Sequence, residues 1–97
     1  MTTYVFTTRL WFHRDGPGAW CFATLPADVA DEIRATTERR GFGSVRVRAV
    51  IGETAWDTSV FPDSATESYL LPVKADVRRR QQVDAGDDVE VAVTPRP

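Results

Sequence analysis

Cysteine and histidine are almost absent from this 97-residue chain: it has one of each, Cys21 and His13. A lone cysteine excludes an intramolecular disulfide. One cysteine and one histidine cannot supply the clustered ligands that a structural or catalytic metal site needs. No metal or other cofactor is therefore expected. No apolar run approaches the roughly 18 residues of a membrane span. The opening MTTYVFTTRLWF lacks the basic start, apolar core and small-residue cleavage site of a secretory signal. These absences lead to the expectation of a cytoplasmic protein without membrane attachment. An excess of one charge is missing too. Twelve Lys and Arg against 14 Asp and Glu leave a net charge of −2, so whole-molecule attraction to nucleic acid or anionic lipid is not expected.

What is present suits one small globular domain. A hydrophobic share of 42% with 27% charged residues is the balance of a folded soluble chain, and the length supports a single core without staples. The sequence predicts one domain over residues 1–94, followed by a tail at 95–97.

The hydrophobic pattern alternates between periods of two and of about 3.6. Residues 3–12 are rich in β-branched and aromatic side chains and read as a strand. The turn-forming run 14–18 (RDGPG) and a second strand at 19–24 make a hairpin. Residues 26–39 read as a helix opened by Pro26, with Asp28, Asp31 and Glu32 early, Arg34, Arg39 and Arg40 late, and Gly41 as the stop. Val29 and Ile33 supply its apolar stripe. Residues 44–51 (SVRVRAVI) and 54–61 (TAWDTSVF) flank Gly52-Glu53, the chemistry of a type II′ hairpin turn. That turn sets Ile51 against Thr54 and Arg48 against Asp57. It puts Val45, Val47, Ala49 and Ile51 on one face with Trp56 and Val60. That face is expected to be the core, while Arg46, Arg48, Asp57 and Phe61 share the mixed face. A loop at 62–66, a short strand at 68–71, a helix from Pro72 to about Gln81 with Val73 and Val77 inward, a turn at 85–87 and a last strand through Val89, Val91 and Val93 complete the reading. The expected fold is mostly β, a barrel of about six strands with two short helices in the order β-β-α-β-β-β-α-β.

The ordered set WCFATLP (20–26), RGFGSVRVR (40–48), Ile51-Gly52, Trp56 with Thr58 and Ser59, Phe61-Pro62, SYLLPVK (68–74), Val77-Arg78 and Gly86-Asp87 resembles the "domain of unknown function 1905" family along nearly the whole chain. The resemblance implies a small β-barrel of about six strands with one or two short helices, and it implies no activity. The family often carries a glycine just before the SYLLPVK-like stretch, where this chain has Ala65-Thr66-Glu67. The last third, YLLPVKADVR (69–78) followed by GDDVEV (86–91), is also similar to the AbrB-like swapped-hairpin DNA-binding module.

Few residues carry chemistry. His13 sits beside a turn and Cys21 on a strand between aromatic neighbours, with no context for a nucleophile–base pair. Ser59 and Ser68 lack a nucleophile elbow. Gly41-Phe42-Gly43 precedes a strand, unlike a phosphate loop. Lys74, Arg78, Arg79 and Arg80 form a basic cluster that Asp76 partly neutralises at helical spacing. Trp11, Trp20, Trp56 and Tyr69 could stack on a planar ligand, although in a small barrel most belong to the core. Arg46, Arg48, Trp56, Lys74 and Arg78 are the candidate ligand-binding residues, with Trp56 as the wall and the basic groups as anion contacts. The reading is a non-enzymatic binding or accessory module for a small anionic ligand or a protein partner, with a homodimer as one form of partnership. An AbrB-like regulator resting on the basic helix is the second reading. An enzyme with an unrecognised site is the third, best tested by whether His13 and Cys21 sit together in one pocket.

Overall fold

The computed structural model describes residues 2–14, 20–37 and 43–96. Six strands and two helices follow one another as β1 (Tyr4–His13), β2 (Trp20–Thr24), α1 (Ala27–Thr36), β3 (Val45–Ile51), β4 (Thr54–Asp63), β5 (Ser68–Pro72), α2 (Ala75–Gln81) and β6 (Asp88–Pro95). The strands close in the order β1-β2-β5-β4-β3-β6 into an antiparallel barrel. Closure matters because it leaves few unpaired edges on which foreign strands could add.

The Gly52 hairpin has the register its turn chemistry predicts. Ile51 pairs with Thr54, Ala49 with Trp56 and Arg48 with Asp57. Gly52 has a φ of +58°, the left-handed value a type II′ turn requires at its first central position. Alternation then sends Val45, Val47, Ala49 and Ile51 inward, where all four are buried, and leaves Arg46 and Arg48 exposed. Inside the barrel, Leu10, Ala23, Val47, Ala49, Val60, Leu71 and Val91 are packed to near-complete burial. The interior is thus filled by side chains, as a six-stranded barrel has little room for anything else.

Each helix buries an apolar side against the barrel. α1 buries Val29, Ala30 and Ile33. Its entry is tethered to β5 by the Leu25 amide donating to the Tyr69 carbonyl at 3.0 Å and the Ser68 hydroxyl donating to the Leu25 carbonyl at 2.7 Å. α2 buries Val77, with Val73 buried just before it. The Gln81 amide donates to Thr54 Oγ1 at 2.7 Å, which fastens α2 to the start of β4.

Several boundaries differ from the sequence reading. α1 begins at Ala27, with Pro26 as the cap, and ends at Thr36, because Thr37 is already extended. The Thr36 and Thr37 hydroxyls both turn back onto helix carbonyls, at Glu32 and Ile33, a competition that favours helix ends. The expected stop at Gly41 and the loop 14–18 beyond Arg14 lie outside the described residues. Pro72 does not open α2; it is the last residue of β5, opposite Phe22. A proline fits a strand end because no ladder hydrogen bond is asked of its nitrogen. The next amide, Val73, resumes the ladder by donating to the Cys21 carbonyl at 2.9 Å. β4 also runs through Pro62 to Asp63, and β6 runs to Pro95, one residue into the stretch expected as a tail. Glu67 has a φ of +55°. This is a left-handed position, of the kind glycine adopts most readily.

Candidate functional site

The five residues expected to share a ligand site are distributed over three places. Arg46 and Arg48 stand on the outer face of β3. Trp56 points to the interior side of β4 and packs against the core. Lys74 caps α2 and is exposed, while Arg78 lies on α2 itself. Arg78 is largely engaged within the chain. Its side chain is only 18% exposed and pairs with Asp84 at 3.2 Å. Its Nε donates to the Val73 carbonyl at 3.3 Å, and its guanidinium lies 5.2 Å from the Phe12 ring centroid. Arg78 thus bolts the α2 turn to the barrel end.

The rest of the basic cluster is only partly neutralised, since two arginines share one carboxylate. Arg79 and Arg80 both pair with Asp76, at 3.2 Å and 3.5 Å. The two strands of the AbrB-like stretch pair within the chain, β5 with β2 and β4, and β6 with β1 and β3. His13 and Cys21 fall on opposite faces of the β1–β2 hairpin. His13 pairs with Trp20 on the outside, and Cys21 pairs with Phe12 on the inside. Burial pushes the Cys21 thiol above its ordinary pKa, opposed by the Arg78 charge and reinforced by that of Asp84. A neutral, enclosed thiol is a poor nucleophile.

The feature the sequence reading missed is on the outside. Register places Trp11 beside Phe22, His13 beside Trp20, Phe22 beside Pro72, and Leu70 beside Phe61. These side chains share the outer wall of β1–β2–β5–β4. Trp20 is 57% and Phe61 46% exposed. Between them lies an open apolar concavity of about 390 Å³, lined by His13, Trp20, Phe22, Phe61, Leu70 and Pro72. The wall is held in shape. Trp11 Nε1 donates to Thr24 Oγ1 at 2.9 Å, Phe22 leans on Trp11 at 5.3 Å between centroids, and Trp20 lies parallel to Phe22 within 8°. None of its lining residues carries a carboxylate, an ammonium or a guanidinium. A contiguous, rigid aromatic group of this kind differs from the scattered single hydrophobics that are ordinary on a protein surface. The signal was present in WCFAT: alternation puts the small Cys21 and Ala23 inward and the large Trp20 and Phe22 outward, the reverse of a strand that spends its bulk on the core.

Comparison with known families agrees with the fold. The model of the domain of unknown function DUF1905 matches residues 6–93. This chain belongs to the DUF1905 family. No curated protein matches it. In this DUF1905 domain, no group of three or more potential metal-ligating side chains is found among the described residues, and no helix among them is long and apolar enough to cross a membrane.

Proposed function

We propose that this DUF1905 domain is a non-catalytic interaction module that pairs with a second copy of itself through the outer wall of β1–β2–β5–β4. The observation that carries the reading is the exposed, uncharged Trp20–Phe22–Phe61 surface.

Charge at the two ends of this wall supports a second copy as the occupant. Past Pro72 the β5 line leads to Lys74, exposed at the Trp20 end of the wall. At the other end stand Asp63, paired with Ser68, and Glu67 in the turn before it. A two-fold axis lying across the strands sets the basic end of one copy over the acidic end of the other. The same operation stacks apolar centre on apolar centre. Self-complementarity of this kind is what an isologous interface demands. The closed barrel supports the same choice, because association by strand addition needs a free edge and side-chain docking does not.

Sedimentation velocity over a concentration series tests the proposal. The expected result is a weight-average mass that climbs from monomer to dimer, and a Trp20→Ser, Phe61→Ser double variant that stays monomeric with an unchanged fold. A wild-type chain that remains monomeric up to about 1 mM, the weak end of specific association, would sink it.

A further inference from the structure

The opposite side of the barrel carries a second feature, independent of the aromatic wall. Arg46 and Arg48 project outward from β3. Arg48 sits opposite Thr94 of β6, and the Arg96 amide donates to the Arg46 carbonyl at 2.8 Å. Arg46 and Arg96 are therefore cross-strand neighbours on one face. Asp57 of β4 is shared between two of the three guanidiniums. Its Oδ1 accepts from Arg48 at 3.4 Å and from Arg96 at 2.9 Å. Arg46 has no ion-pair partner among the described residues. Three arginines against one carboxylate leave a local charge of +2 (three minus one) on a protein whose net charge is −2.

Like charges placed directly opposite on adjacent strands are destabilising. A chain with an acidic balance has no general need for such a cluster, so the juxtaposition calls for an anion. The shape agrees. A concavity of about 260 Å³ is lined by Arg46, Val47, Asp57, Thr58 and Arg96. That is below the roughly 300–1,000 Å³ of sites for drug-sized molecules, and it suits a small ion or the terminal group of a larger ligand. Guanidinium forks match the oxygens of such groups two at a time. Asp57 holds Arg96 and Arg48 in place and leaves Arg46 to meet the ligand.

We infer that the cleft between Arg46 and Arg96 binds a doubly charged oxyanion of the phosphate type. Lys74 and Arg78 take no part, since they lie on or beside α2 and not among the groups that line the cleft.

The test is a titration of the ¹⁵N-labelled protein with inorganic phosphate, with acetate and chloride at equal ionic strength as the other arms. Saturable amide shifts at 46, 57–59 and 96 are expected with phosphate alone, with a dissociation constant on the order of 1 mM. Arg46→Gln should weaken them at least tenfold. The same variant, in phosphate-free buffer, should melt at or above the wild-type temperature, because it removes repulsion and no contact. Equal responses to all three anions would reduce the cluster to ordinary ionic screening and overturn the inference. So would the absence of saturable shifts, or an Arg46→Gln variant that binds phosphate as the wild type does. Arg79→Gln is the control and leaves phosphate binding unchanged.

Discussion

Replacing Trp20 by serine should dissolve the self-association while leaving the barrel intact. A large aromatic side chain offers about 200 Å², and Trp20 is 57% exposed in the single chain, so about 115 Å² of its surface is free to be buried. At about 25 cal/mol per Å² this is worth roughly 3 kcal/mol per copy. A two-fold interface loses it twice, which sets an upper limit of about 6 kcal/mol per dimer. Rim water and relaxation of the partner surface reduce that figure, and losses of about 2–4 kcal/mol are typical of a central aromatic anchor. The expected outcome is therefore a dimer dissociation constant at least about thirtyfold weaker. Sedimentation equilibrium measures it directly, and thermal melting at low concentration checks the fold. Because Trp20 lies outside the core, the monomer should lose less than about 1 kcal/mol of stability. A dissociation constant within about threefold of wild type would refute the reasoning, since it would mean that the exposed indole is not at the interface.

Other outcomes follow from individual contacts. Glu67 sits at a φ of +55°, so Glu67→Gly should be neutral or stabilising by up to about 1 kcal/mol, read as a rise in the denaturant midpoint. Gln82 ends α2 in the left-handed conformation at φ +54°, and Gln82→Gly should gain a similar amount. The Trp56 indole N–H is buried with no hydrogen-bond partner, whereas that of Trp11 is bonded to Thr24. Trp56→Phe should therefore destabilise less than Trp11→Phe in urea unfolding, by about 1 kcal/mol. The folded-state pKa of Cys21 is raised, chiefly by burial. Its contribution to stability is full below the unfolded thiol pKa of about 8.5 and is lost as pH rises toward the folded value, because the unfolded chain ionises first. Cys21→Ala should flatten that alkaline decline, and the wild-type thiol should react with a disulfide reagent only as fast as the chain opens.

Much of the fold was legible because local chemistry and global topology agree. The Gly52 turn fixes one register, that register buries Val45, Val47, Ala49 and Ile51 together, and the structure has both. The prolines were harder. Pro26, Pro62 and Pro72 all read as helix starts or loops. The structure uses Pro62 and Pro72 in strands, which a proline tolerates where its nitrogen faces away from a ladder bond. The candidate site was less legible, for a physical reason. Charge and aromaticity are properties of residues, but a site is a property of a face, and the face depends on which strands become neighbours. Arg46 and Arg48 were visible as a pair. The pairing of β3 with β6 brings Arg96 alongside them, whereas Arg78 pairs with Asp84 at the end of α2. The aromatic wall draws on β1, β2, β4 and β5, which lie far apart in sequence, and only the order β1-β2-β5-β4 assembles it.

The most direct test of the central claim is ¹⁹F NMR of the protein labelled with 5-fluorotryptophan, recorded as concentration rises. The chain has three tryptophans, so each reports on a different place. Trp20 stands on the aromatic wall, Trp11 at its border, and Trp56 on the interior side of β4. The account predicts a Trp20 resonance that shifts with concentration along a dimerisation curve, a smaller shift for Trp11, and a stationary Trp56. Three stationary resonances, or a shift confined to Trp56, would contradict it.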